Sequence, residues 1–288
     1  MEIKATVGKF QAINWFKGAI LVIIGLLHSR FDVGFNWFLD NLVLGPIVYF
    51  LIMVSGMLVT LALKMPQEES KSTFQRRDVV KMASVIIFLI TYGIISYYVY
   101  FYERTVLILV LLGIIGFWWG LTLLYGADWE YKDILRIFII GFSLSFGIIY
   151  AALLNDLSIP GYLYFFVLGT FTLQFTKDIL KSCKVTAEIR GESENYKSLA
   201  NTFTIHKTQN IALVLQALTI LFLTLPFIAG LYNYFLYLFP MIIASIFIGI
   251  SIVLNLIYDL EDEYNGKVFI LLRLSMVFVI TAFFFASI

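Results

Sequence analysis

The chain has 288 residues, of which 61% are hydrophobic and only 14% charged, and its mean hydropathy is +0.92. Soluble domains carry about a quarter charged residues, so this composition excludes an ordinary water-soluble globule. The formal net charge of +1 hides a strong segregation of charge along the chain, which suits membrane lipid as surroundings and offers nothing to a nucleic acid.

Nine apolar runs follow one another. The first, Ile13–His28, carries Lys17 near one end and His28 at the other. It has no small-residue cleavage site and reads as a retained span. His28 reads as an interfacial residue. The second run, Asn41–Leu63, stops at a polar segment, KMPQEESKSTFQRRDVV. Val80–Phe101 and Thr105–Tyr125 come next, separated by a short gap that holds Arg104. Ile134–Leu154 is the fifth and Gly161–Phe175 the sixth. The longest polar stretch, Lys177 to Gln209, comes next and has room for a short helix and a loop. His206 lies in it and reads as solvated. Ile211–Gly230, Tyr234–Ile257 and Val268–Ile288 complete the set. A bilayer core of about 30 Å needs about 20 helical residues, and most runs reach that length. Lipid leaves no water for backbone groups, so the spans must be helices. The expected fold is therefore all-α, a polytopic membrane bundle of nine transmembrane helices. It forms a single domain over 1–288, with polar loops at 64–79 and 177–209.

Basic residues set the orientation. With the N-terminus in the cytoplasm, 18 of the 20 Lys and Arg fall in cytoplasmic gaps or the adjoining helix ends. Arg30 and Arg104 alone lie on the other side. This is the positive-inside pattern. It predicts an integral protein of the cell membrane, with its N-terminus inside and its C-terminus outside. The one cysteine, Cys183, excludes an intramolecular disulfide. Charges lie near span ends, where Lys17 and Arg273 can snorkel. No acid or base sits deep in a span, which argues against a pump or ion-coupled transporter. The odd span number argues against a simple inverted repeat.

The polar chemistry gathers at the cytoplasmic face. The first loop carries Glu68 and Glu69, then Lys71, Arg76 and Arg77. The second contains KSCKVTAEIRGESENYKSL, in which Glu188 and Glu192 are four apart and Lys184 is one turn earlier. On a helix that spacing puts both carboxylates on one face, about 6 Å apart along the axis. An acidic pair ringed by bases can hold a hydrated Mg²⁺ that bridges to a substrate phosphate. Lys71, Arg76, Arg77, Lys184 and Arg190 can contact the remaining phosphate oxygens. Mixed charge of this kind is also what an ordinary solvated loop shows. The recurrence of the arrangement in two loops on one face separates the two readings.

KVTAEIRGESENYKSLA resembles the second signature of the UbiA family of membrane prenyltransferases, K-D-I-E-D-V-E-G-D followed by a short link and K-T-L-P. Lys184 matches the family lysine, and Glu188 and Glu192 fall on the two aspartates of D-x-x-x-D with Gly191 retained. Lys197, Ser198 and Leu199 match K-T-L. LTLLYGADWEYKDILRIFIIGFSLSFGIIYAALL resembles the family stretch through the fifth span and puts Tyr125 on a family tyrosine. The end, from Tyr258 onward, resembles archaeal members that make digeranylgeranylglyceryl phosphate. The family's first signature, N-D-x-x-D-x-x-x-D, meets TLALKMPQE. Thr60 stands at the asparagine, Leu61 and Lys64 at the first two aspartates, and Glu68 at the third.

The resemblance implies a UbiA-like bundle that transfers a prenyl group from an isoprenyl diphosphate to a lipophilic or phosphoglyceryl acceptor. It implies Mg²⁺ on Glu68, Glu69, Glu188 and Glu192, catalytic roles for Glu188, Glu192 and Tyr125, and diphosphate contacts from Lys184, Arg190, Lys71, Arg76 and Arg77. It also implies that spans two and six bring their cytoplasmic ends to one cavity, with Glu68 or Glu69 within about 15 Å of Glu188. Trp118, Trp119, Tyr162, Tyr164, Phe165 and Phe166 are candidates to face an allylic cation, although aromatics in spans mostly pack or form interfacial belts. The first alternative is a divergent relative that binds prenyl lipids or partners without catalysis, and the second is a transporter.

Overall fold

A computed structural model describes residues 16–30, 33–64, 76–101, 105–126, 132–156, 159–189, 205–231, 235–257 and 265–287. Among the described residues there are nine helices and no strand. They are α1 (Phe16–His28), α2 (Phe35–Lys64), α3 (Arg76–Phe101), α4 (Thr105–Gly126), α5 (Lys132–Asn155), α6 (Gly161–Ile189), α7 (Ile205–Ile228), α8 (Phe235–Ile257) and α9 (Asn265–Ser287). Each covers one apolar run. Six of them, α2, α3, α5, α7, α8 and α9, are long and apolar enough to cross a membrane, and α1 and α4 supply shorter apolar stretches. Large apolar side chains such as Phe35, Phe235, Phe239 and Leu256 point outward, as expected of helices whose solvent is lipid. Pro46, Pro226 and Pro240 lie inside helices, a placement membrane helices tolerate.

Three boundaries differ from the sequence reading. α6 does not stop near Phe175 but runs on to Ile189, about 21 Å further at 1.5 Å per residue. Residues 76–79 open α3, so the segment 64–79 expected as a loop is partly helix, and 205–209 open α7 within the stretch where a short helix and a loop were expected. His28, the last residue of α1, is buried among neighbouring side chains, 3% exposed. His206 is exposed as expected, on the first turn of α7.

The chain divides into two compact units. The first is Met1–Trp129 with Phe146–Ile159, and the second is Glu130–Ser145 with Pro160–Ile288.

In the first unit α2 packs against α3 and α4, and α3 against α4. Val22, Leu26, Val48, Tyr49, Ile52, Ile95 and Ile115 fill its core. α1 and α5 touch backbone to backbone. A Cβ on Gly25 would sit 2.6 Å from the Ile148 carbonyl oxygen and 2.8 Å from Ala151 Cβ, so only glycine allows this approach. α2 and α3 are clasped by two serines. Ser55 Oγ donates to the Ser84 carbonyl at 2.9 Å and Ser84 Oγ donates to the Ser55 carbonyl at 2.7 Å. Trp119 Nε1 of α4 donates to Ser55 Oγ at 3.1 Å.

Helix ends in lipid leave orphan carbonyls, and here side chains from neighbouring helices take them up. Asn155, the last residue of α5, donates through Nδ2 to the Leu26 carbonyl at 2.9 Å and to Ser29 Oγ at 2.8 Å, closing the end of α1. In return α2 closes α5. Trp37 Nε1 donates to the Asn155 carbonyl and Asn41 Nδ2 to the Leu154 carbonyl, both at 3.1 Å. Asn41 Nδ2 also reaches Asn155 Oδ1 at 2.9 Å, and Tyr98 OH donates to Asn41 Oδ1 at 3.2 Å.

In the second unit α6 packs on α7, α8 on α9, α7 on α8, and α6 on α9. One end of its interior is a ring stack in which Phe166 lies 3.9 Å from Phe283 and 5.7 Å from Tyr237 between centroids. Further along runs a seam of uncharged polar side chains. Thr219 Oγ1 donates to Thr172 Oγ1 at 2.8 Å, Gln216 Nε2 to Ser251 Oγ at 2.8 Å and Asn255 Nδ2 to Gln216 Oε1 at 3.4 Å. Gln209 Nε2 donates to the Asn255 carbonyl. α7 ends in a Schellman turn. Leu231 N–H donates to the Pro226 carbonyl and Gly230 N–H to the Phe227 carbonyl, with Gly230 in the left-handed region at φ 67°.

Candidate functional site

The ten residues expected to form the site separate by element. Lys184 and Glu188 lie in the last turns of α6, Arg76 and Arg77 open α3, and Tyr125 is in the last turn of α4. Their backbones are helical. Glu68, Glu69, Lys71, Arg190 and Glu192 fall outside the described residues, and with them the expected 15 Å approach of Glu68 or Glu69 to Glu188. The helical register of α6 makes one point firmly. Lys177, Lys181, Lys184 and Glu188 stand at i, i+4, i+7 and i+11, a single stripe along one face. The lysine expected at the diphosphate and the first glutamate of the motif therefore share a helix face, as the spacing predicts.

About three turns before Glu188, the same helix carries a group that sequence reasoning did not single out. Lys177 Nζ donates to Gln174 Oε1 at 2.8 Å, and Gln174 Nε2 donates to Asp178 Oδ2 at 2.7 Å. Asp178 Oδ1 stands 3.8 Å from Lys177 Nζ, with the two side chains 13% and 14% exposed. Lys177 lies two residues past the apolar run Gly161–Phe175. Burial is the main influence on it and lowers its proton affinity. Asp178 offsets part of that, and Arg273 of α9 and Lys181 lower it further. The available signal was a Lys-Asp pair directly after an apolar run with a second lysine at i+4, a pattern shared with any charged helix end.

Two of the candidate aromatics, Trp119 and Phe166, pack against other rings. Trp119 stacks on Phe88 at 4.5 Å, and Phe166 is in the buried ring stack. Tyr164 faces outward, 47% exposed. Among the described residues no three His, Cys, Asp or Glu side chains gather as a metal site. Asp178, about three turns before the end of α6, is engaged by Gln174 and Lys177.

No family sequence model and no curated protein sequence matches the chain. Its fold does have counterparts among solved structures. A structure from work on a digeranylgeranylglyceryl phosphate synthase in membranes superimposes with a TM-score of 0.74 at 17% identity, over 96% of this chain and 98% of the other. The apo structure of a UbiA homolog from Aeropyrum pernix K1 gives a TM-score of 0.61 at 12% identity, over 93% and 94%. Apolar helices of spanning length and these membrane-protein counterparts make the chain an integral membrane protein. Near-complete coverage in both directions leaves one conclusion: the chain has the fold of the UbiA-type membrane prenyltransferases.

Proposed function

We propose that the chain is a membrane-embedded prenyltransferase that moves a prenyl group from an isoprenyl diphosphate to a lipophilic or phosphoglyceryl acceptor. The observation that carries this reading is the fold likeness to a digeranylgeranylglyceryl phosphate synthase over 96% of the chain. The order of the family-like motifs, Tyr125 then Lys184, Glu188 and Glu192, supports it. In such a transfer the allylic C–O bond breaks and inorganic diphosphate leaves with the bonding pair. An acceptor oxygen attacks the electron-poor carbon and releases its proton. The barrier lies in the charge that develops on the diphosphate, so groups that neutralise it accelerate the reaction. Lys184 and Arg190 are proposed to contact diphosphate oxygens, with Lys71, Arg76 and Arg77 as further bases. Mg²⁺ belongs to the proposal, on the carboxylates Glu188 and Glu192, where it would offset diphosphate charge. The site is proposed to face the cytoplasm, with the N-terminus on that side.

The test is turnover of labelled geranylgeranyl diphosphate with a panel of acceptors. Glu188→Gln and Glu192→Gln should each lower the rate by about 10²–10³-fold, the loss typical of one electrostatic stabiliser. Glu69→Gln should be milder, because only one of the first motif's three acids is kept. Unchanged rates in Glu188→Gln and Glu192→Gln would overturn the assignment. A second reading follows from Leu61 and Lys64, which stand where the family pattern has acids. It is a protein that binds prenyl lipid without catalysis. Prenyl-lipid binding with no turnover on any acceptor would select it.

A further inference from the structure

We propose that Thr176 of α6 and Ser251 of α8 hold an ordered water molecule inside the second unit. Thr176 is fully buried, and its Oγ1 has no hydrogen-bond partner in the chain. Other span threonines behave differently. Thr91, Thr170, Thr172, Thr219, Thr224 and Thr281 each donate to the carbonyl four residues back at 2.7 to 2.9 Å, the local outlet for a hydroxyl in a helix. Thr176 makes no such bond, so its hydroxyl is turned away from its own backbone. The helix register fixes its height. Gly169 lies against Leu223 and Thr172 bonds Thr219, so α6 and α7 run antiparallel. One turn on from Thr172, Thr176 stands level with Leu215 and Gln216. Gln216 Nε2 donates to Ser251 Oγ at 2.8 Å, which brings Ser251 to the same height. The four helices close a ring, α6 on α7, α7 on α8, α8 on α9 and α9 on α6. α6 and α8 are its diagonal pair, and the buried Thr176 and Ser251 face the shared interior. Both side chains are short. Ser251 Oγ accepts from Gln216, and among the described residues nothing accepts its own hydrogen. Gln216 Nε2 has a second N–H besides the one on Ser251. A buried hydroxyl without a partner is unfavourable. A water answers all three groups: it accepts from Ser251 Oγ and Gln216 Nε2 and donates to Thr176 Oγ1, within the two to four bonds a buried water makes. The groups are uncharged, which suits water rather than an ion. The water would join the Thr172–Thr219 pair, one turn away, to the Gln209–Asn255–Gln216–Ser251 chain. This inference rests on no reading of the protein's activity.

The test reads the sign of a stability change. Thr176→Val replaces the hydroxyl by a methyl of like shape, and unfolding of the full-length protein is followed in mixed micelles with increasing SDS. If the hydroxyl bonds a water, the substitution removes that bond and lowers the folded-to-unfolded ratio about threefold, the size of one bond between helices in lipid. If the hydroxyl has no partner, the methyl is the better occupant and the ratio rises. A ratio equal to the parent's or above it therefore overturns the proposal. Thr170→Val is the control, because the Thr170 hydroxyl bonds the Phe166 carbonyl of its own helix, and it should stay within about twofold of the parent. Ser251→Ala tests the sharing. With one water between the two positions, the double variant should lose less than the product of the two single losses. Losses that multiply would show that Thr176 and Ser251 do not share a ligand. A crystal structure grown from lipid, at a resolution that shows waters, gives the direct view. A peak within hydrogen-bond reach of Thr176 Oγ1 and Ser251 Oγ is expected in the parent and in Thr176→Ser, which keeps the hydroxyl. Thr176 Oγ1 bonded to a protein atom, or no peak between the two side chains, would overturn the assignment even if Thr176→Val failed to fold.

Discussion

Asn155→Leu should destabilise the first unit by about 2 kcal/mol. The Asn155 side chain makes three bonds between helices, to the Leu26 carbonyl, to Ser29 Oγ and from Asn41 Nδ2, at 2.8 to 2.9 Å. Such bonds in membrane proteins average about 0.6 kcal/mol and reach about 1.7, because the unfolded chain also finds partners in lipid. Three of them come to about 2 kcal/mol, a shift of about 30-fold in the folded ratio. The larger penalty of a stranded polar group does not arise. The Leu26 carbonyl keeps the Ser29 N–H at 3.3 Å, Ser29 Oγ keeps the Gly25 carbonyl at 2.9 Å, and Asn41 keeps the Leu154 carbonyl and Tyr98 OH. The Trp37 bond goes to the Asn155 backbone and survives substitution. Equilibrium unfolding in mixed micelles with increasing SDS measures the change. Ser96→Ala is the control, since Ser96 Oγ bonds only the Tyr92 carbonyl of its own helix at 2.8 Å, and it should fall within about 0.5 kcal/mol of the parent. If Asn155→Leu also stays within that margin, side-chain capping between helices is not what holds α1, α2 and α5 together.

Gly25→Ala should cost about 1–3 kcal/mol, because its Cβ meets backbone that cannot step aside; Gly249→Ala, with open space around it, should not lower stability, and equal losses in the two variants would contradict the close α1–α5 approach. Burial of the Cys183 thiol pushes its pKa up to about 12. Since only the thiolate reacts, alkylation of the folded chain at pH 8 should run about 10³-fold slower than after unfolding, and comparable rates in the two states would show an accessible thiol. For topology, single cysteines at Ser72 and at Ser158 in a Cys183→Ala background should label from opposite sides of the membrane; labelling from one side would overturn the proposed orientation.

The helices were legible because lipid leaves the backbone one choice. Apolar runs such as Tyr234–Ile257 become helices of nearly the same bounds, here Phe235–Ile257. Hydropathy stops being informative where the chain leaves lipid, and for that reason Phe175 looked like the end of α6. Residues 176–189 are polar enough to pass for a loop, and a helix that projects past lipid carries no apolar period to announce itself. The stripe from Lys184 to Glu188 was readable from spacing alone, since i, i+4 geometry is local.

What joins distant positions was not readable. Asn155 could have been taken for a residue at a span end, and only packing shows that it closes α1 while Trp37 and Asn41 close α5. The position of His28 at a span end is local, but that its side chain is buried there is set by the fold. The sequence by itself determined that the chain crosses lipid as helices, and where, because backbone hydrogen bonding in an apolar solvent is a local demand. The tertiary structure alone decided which polar side chains close which helix ends, because those pairings depend on helix neighbours that no local pattern names.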